Sequence, residues 1–130
     1  MKVLSIDPGA KRIGLARAET ELGIAFPFKL LTPQNMTDAR NQITNIVESE
    51  DIQHVLLGWP LGLDARETEQ TAAVRSLYNL LSETLRVSLE RVDERLSTRR
   101  ATQNVGDTGE VDVEAARVLL EEWLRNQHMI

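Results

Sequence analysis

The chain has 130 residues, 42% of them hydrophobic and 27% charged, with a formal net charge of −5; this is the profile of a globular protein, most simply one domain spanning 1–130. Cysteine is absent, which excludes disulfides and thiolate metal sites and points to a reducing compartment; with no signal peptide and no apolar run near the roughly 18 residues of a membrane span, a cytoplasmic location is expected. Residues 1–40 hold six Lys/Arg against four Asp/Glu and residues 86–102 hold five against three, so the acidic total does not exclude a nucleic-acid partner.

KVLSID at the start reads as a buried strand ending on a carboxylate, Asp7, before the turn pair Pro8-Gly9. KRIGLARA alternates, with Ile13, Leu15 and Arg17 on one face and Gly14, Ala16 and Ala18 on the other. GIAFPFKLL is a third strand with Ile24, Phe26, Phe28 and Leu30 on a common face, and Pro27 demotes it to a sheet edge. Met36, Ala39, Ile43 and Ile46/Val47 then switch to helical spacing. The run from His54 to Gly58 is continuously apolar, suited to a parallel strand buried on both faces. Asp64 and Glu67 have the spacing of a capping box for a long helix striped by Val74, Leu77, Leu80/Leu81 and Leu85. Val87–Val92 is a further strand, Ser97 or Thr98 caps a short helix, and 112–126 is the final helix. The order β-β-β-α-β-α-β-α-α predicts an α/β fold: a five-stranded mixed sheet, three antiparallel strands then two parallel ones, with helices packed on its faces and right-handed crossovers.

Three acidic positions stand out. Asp7 before Pro-Gly is also a common turn signature. VDERLSTRRA places Asp93 and Glu94 at a second strand end, the position where open α/β sheets put their sites. In VDVEAARVLLEEWL, Asp112 falls on the apolar line of Ala115/Ala116, Leu119 and Trp123, whereas Glu114 heads a polar line with Arg117, Glu121 and Arg125; a helix N-terminus also favours an acid by itself. Were the three to converge, their repulsion would call for cations between them. Oxygen ligands without Cys or a His pair select hard ions, Mg²⁺ or Mn²⁺. Two such ions are the arrangement for in-line phosphodiester cleavage.

IDPGAKRIGLA, GWPLGLD, VDERLSTRRA and VDVEAA, in this order and spread over nearly the whole chain, resemble the YqgF/RuvX family of bacterial Holliday junction resolvases and pre-16S rRNA nucleases. The resemblance implies an RNase H-like fold and metal-dependent cleavage of a nucleic-acid backbone, with maturation of the 5′ end of 16S rRNA as the favoured task and branched DNA as the alternative substrate. It implies Asp7, Glu94 and Asp112 as catalytic metal ligands, with Asp93 the less favoured substitute for Glu94. Lys11 and Arg12 beside Asp7, and Arg95, Arg99 and Arg100 beside Glu94, are candidates for phosphate contacts, each weighed against a solvated surface base. Ribosomal particles are a candidate partner, no membrane contact is expected, and the chain is expected to be a monomer or a weak homodimer.

The sequence departs from the family in three places. NVGDTGEV before Asp112 is acidic where a basic loop is usual, Trp59 stands where Leu is usual, and Ala65 where Gly is favoured. Trp59 reads as packing ahead of base stacking, Asp64 reads as a cap ahead of a ligand, and His54 and His128 receive no role. Two rivals remain: a non-catalytic nucleic-acid-binding assembly factor, favoured only by the missing basic loop, and a sugar-kinase-type ATPase, disfavoured by the absence of a second Gly-rich phosphate loop.

Overall fold

A strand that is buried on both faces needs neighbours on both, and Lys2–Pro8 has them. The computed structural model describes residues 1–9, 11–60, 68–93 and 109–127. Its elements are β1 (Lys2–Pro8), β2 (Ile13–Glu19), β3 (Ile24–Leu31), α1 (Met36–Ser49), β4 (His54–Trp59), α2 (Glu69–Thr84), β5 (Ser88–Asp93) and α3 (Gly109–Asn126). The sheet order is β3-β2-β1-β4-β5. β1 pairs antiparallel with β2, and β2 with β3, while β1–β4 and β4–β5 are parallel. This is the expected mixed sheet, with β1 at its centre and β3 at an edge.

The pleat sorts β1 into two faces. Leu4 and Ile6 join Ile13, Leu15, Val55, Leu57 and Trp59 beneath α1 and α2, which contribute Ala39, Ile43, Val47, Val74, Leu77 and Leu81. Val3 points to the other face, with Ala16, Ala18, Ala25 and Leu56, against Ala116, Leu120, Trp123 and Leu124 of α3. Each fully buried Leu or Ile contributes roughly 1.5–3 kcal/mol, so both layers are needed to hold the sheet. No helix among the described residues is long and apolar enough to cross a membrane.

Local details differ from expectation in three places. The cap of α2 is Thr68, in a reciprocal capping box with Thr71, not Asp64 with Glu67; the Thr71 hydroxyl plays the part usually taken by Glu or Gln and also donates to the Pro60 carbonyl at the end of β4. β3 carries a bulge opposite Leu15/Ala16, where Lys29 and Pro27 are the successive partners. The extra residue, Phe28, flips the parity: Ala25 and Leu31 are buried while Ile24 and Phe26 are exposed, so the expected single face from Ile24 to Leu30 does not exist. Finally, α3 starts at Gly109, ahead of the expected 112.

His54 has a structural part that its sequence did not show. Its Nδ1 and the Ser88 Oγ are 2.6 Å apart, its Nε2 and the Glu90 Oε1 2.9 Å, and its ring lies 5.4 Å from that of Trp123. Trp123 Nε1 donates to both Glu90 oxygens at 3.3 Å. The cluster fastens α3 to β4 and β5. Ser97, Thr98 and His128 lie outside the described residues.

Candidate active site

Asp7 is the one acid of β1, next to its end, and its exposure is 0%. Its pleat parity is that of Val3, so the carboxylate belongs to the α3 face. A surface turn would leave such a group in water; a fully buried carboxylate is rare without compensating charge or hydrogen bonds.

What stands beside it follows from two glycines. Gly14 is the cross-strand partner of Asp7, and directly opposed residues of an antiparallel pair share a face. A Cβ on Gly14 would lie 2.0 Å from the Asp112 carbonyl oxygen and 2.7 Å from the Val113 nitrogen. The backbone of α3 therefore rests on β2 at the one residue that has no side chain to obstruct it. Gly9, in the β1–β2 turn, donates its N–H to the Arg12 carbonyl at 2.8 Å. A Cβ there would meet that oxygen at 2.6 Å and Asp112 Oδ1 at 3.4 Å. Asp112 is thus held between the turn and the tip of β1, on the same face as Asp7.

Arg12 supplies positive charge at this point. Its Nε donates to Asp112 Oδ2 at 3.0 Å, with side chains 21% and 17% exposed. Such a pair is screened less than a rim pair. Lys11 is exposed in the same turn. Further along α3, Glu114, Arg117, Glu121 and Arg125 form the expected polar line, with Arg117 bonded to both Glu114 oxygen atoms and to Glu121. The Arg117 hydrogen bonds hold Glu114 below the usual carboxylate range and raise Arg117 above its own.

Of the predicted residues, the structure brings together Asp7, Arg12 and Asp112 and leaves Lys11 at the rim. Glu94, Arg95, Arg99 and Arg100 lie outside the described residues, as do Asp64 and Ala65. Asp93 pairs in register with Trp59, whose side chain belongs to the α1/α2 layer; its pleat position is on the face away from Asp7. Trp59 is packing: it is 6% exposed, meets Tyr78 edge-on at 5.9 Å and carries the Arg91 guanidinium 4.8 Å above its ring. Among the described residues no three Asp, Glu, His or Cys side chains form a metal-holding group. Asp7 and Asp112 are two oxygen donors on one face, a donor set that fits a hard divalent cation. Gly9 and Gly14 were missed as site residues because what they make room for is a backbone about a hundred positions away.

A family model described as "RuvX: Holliday junction resolvase" matches residues 1–126. The chain is 34% identical over 132 residues to a "Putative pre-16S rRNA nuclease" of Maridesulfovibrio salexigens, covering 95% of this chain and 98% of that one. A protein of the same description from Chloroflexus aggregans is 28% identical over 130 residues, covering 94% and 92%. Among solved structures, T. thermophilus RuvC in complex with a Holliday junction substrate superposes with a TM-score of 0.66 at 12% identity, covering 98% of this chain and 96% of that chain. At that identity the likeness concerns the fold, which is RNase H-like.

Proposed function

The chain belongs to the RuvX family, whose members hydrolyse phosphodiester bonds, and on that premise we propose that it is a metal-dependent nuclease that acts on precursor 16S rRNA. The ions, Mg²⁺ or Mn²⁺, would be held by Asp7 and Asp112 together with Glu94, the acid that the family resemblance assigns to the same set. Such ions supply an activated water and a charge that steadies the leaving oxygen. The observation that carries this reading is the pairing across Gly14, which sets a buried strand carboxylate against the start of a helix that bears a second acid.

The chain's own residues divide the remaining work. Asp7, immobilised at a central strand end, fixes where the reacting phosphate must come; Asp112 approaches from the helix side. Lys11 at the rim meets substrate phosphates, as would Arg95, Arg99 and Arg100, because phosphate contacts supply most nucleic-acid affinity. We take the chain to be a single domain, cytoplasmic, and a monomer or weak homodimer, with ribosomal particles presenting the substrate.

The test is cleavage by the purified protein with Mn²⁺, offered precursor 16S rRNA or a four-way DNA junction. The RNA should be cut, and Asp7→Asn should lower the rate about 100-fold or more, the scale of losing a group that stabilises transition-state charge. Junction cleavage with the RNA left intact would transfer the assignment to branched DNA. Cleavage indifferent to Asp7→Asn would leave only a binding protein.

A further inference from the structure

The Arg12–Asp112 pair presents a conflict that the nuclease reading alone does not resolve. Arg12 is a candidate for a substrate phosphate, yet its guanidinium is engaged with a carboxylate that the same reading assigns to a cation. We propose that Arg12 is an exchangeable counter-charge: a divalent cation taking Asp112 displaces the guanidinium, and the displaced side chain then contacts a backbone phosphate of the nucleic acid. This rests on Asp112 being a metal ligand and adds a coupling between metal and substrate that passes through one side chain.

Three observations carry it. The bond is made through Nε to Oδ2 at 3.0 Å, with both groups about four-fifths buried, so one carboxylate oxygen has a monovalent partner where a divalent one would bind more strongly. Both backbones are pinned. Arg12 is fixed by its carbonyl, which accepts from Gly9 N, and Asp112 by its contact with Gly14. An exchange therefore moves the arginine side chain and leaves both backbones in place. Lys11, the adjacent base, is exposed on the turn, so its pull on phosphate operates whether or not a cation is present. Arg12 differs in being tied to the acid.

The coupling is reciprocal by linkage: whatever the cation adds to nucleic-acid affinity, the nucleic acid adds to cation affinity. A plain structural clamp makes the opposite forecast, because loosening Asp112 would weaken cation binding.

Mn²⁺ affinity, read from the paramagnetic resonance of unbound Mn²⁺, is measured on the wild-type chain and on Arg12→Gln, Asp7→Asn and Asp112→Asn. Arg12→Gln should bind Mn²⁺ about three- to tenfold more tightly, the effect of deleting one partly screened competing charge. Binding of a labelled RNA by fluorescence anisotropy, with Ca²⁺ as the cation and the RNA checked intact on a gel, should weaken about tenfold in Arg12→Gln and less than about twofold in EDTA. If the two aspartate variants lose Mn²⁺ while Arg12→Gln is unchanged or weaker, the exchange is wrong and the metal site stands. If neither aspartate variant loses Mn²⁺, the metal site itself fails and the exchange with it. A measurement on the wild-type chain covers a variant that does not fold: the Arg12 Nε–H resonance, shielded from solvent exchange by Asp112, should lose that protection at saturating Mg²⁺. Retained protection at saturation would overturn the proposal.

Discussion

The two faces of the sheet are built from different side chains, and the candidate site lies on one of them. Beneath α1 and α2, branched residues of β1, β2 and β4 (Leu4, Ile6, Ile13, Leu15, Val55 and Leu57) meet Ile43, Val47, Val74 and Leu77. Beneath α3, β2 and β3 offer Gly14, Ala16, Ala18 and Ala25 and the helix brings Ala116, while Leu120, Trp123 and Leu124 further along α3 join Val3 and Leu56 in the same layer. Large residues fill space and keep backbones apart; small ones let a helix lie directly on strands. That close approach brings Asp112 to the tip of β1, and the buried polar groups of β1, Ser5 and Asp7, both have the pleat parity of this thinner side. One face stabilises the protein, while the other also carries the candidate site.

Paired substitutions at neighbouring positions would break that division if it is wrong. The largest effect is expected at Gly14→Ala, where the new methyl would meet the Asp112 backbone and push α3 outward. Mn²⁺ affinity should fall about 10- to 100-fold, the cost of disturbing the support of a metal ligand, with about 1–3 kcal/mol of overpacking in a urea titration. Leu15→Ala, one residue on and on the other face, should cost about 2–5 kcal/mol in the same titration, yet leave Mn²⁺ affinity of the folded protein within about twofold. Equal losses of affinity in the two variants would show that the faces do not divide the work.

A smaller effect is expected at Ser5, two residues before Asp7 and on its face. Its hydroxyl is buried with no hydrogen-bond partner among the described residues. Ser5→Ala should therefore be neutral or stabilising by up to about 1 kcal/mol in thermal unfolding, whereas a clear loss would mean that the hydroxyl serves the site. The smallest is on the outer surface of α3. Glu114→Gln should cost about 0.3–0.5 kcal/mol, the scale of a helical ion pair. Because the Arg117 hydrogen bonds depress the Glu114 carboxyl, its stabilisation is present above the ordinary carboxylate value of 4.5 and disappears as pH falls through the lowered one. Wild type and variant should accordingly converge in stability on acidification; a gap that persists at low pH would mean that the ion pair is not its source.

How much of this was legible in the chain depended on the range over which each signal acts. The strands, the shift to helical period at Met36 and the apolar stripe of the last helix are local patterns, and each appears where expected. Asp7 and Asp112 were legible for the same reason: an acid ending an apolar strand and an acid on a helix's apolar line are both local patterns. Features set by distant partners were not legible. One extra residue in β3 reversed the faces of Ile24 and Phe26, since a bulge depends on the neighbouring strand's register. The cap of α2 is Thr68 with Thr71 where Asp64 with Glu67 was expected, because two threonine hydroxyls fill the box's geometry without its usual residue types. The partners of His54 come from β5 and α3, and the partner of Arg12 is one hundred positions away.

That long reach has a consequence for synthesis. β1, β2 and the turn bearing Arg12 leave the ribosome early, and the helix that covers them emerges after β5. Domains form as their chain becomes available, and contacts distant in sequence close late. Until α3 arrives, Ala16, Ala18 and Leu56 lack their cover, and Asp7 has no companion acid from that helix. On the reading proposed above, a half-made copy lacks one of its metal ligands.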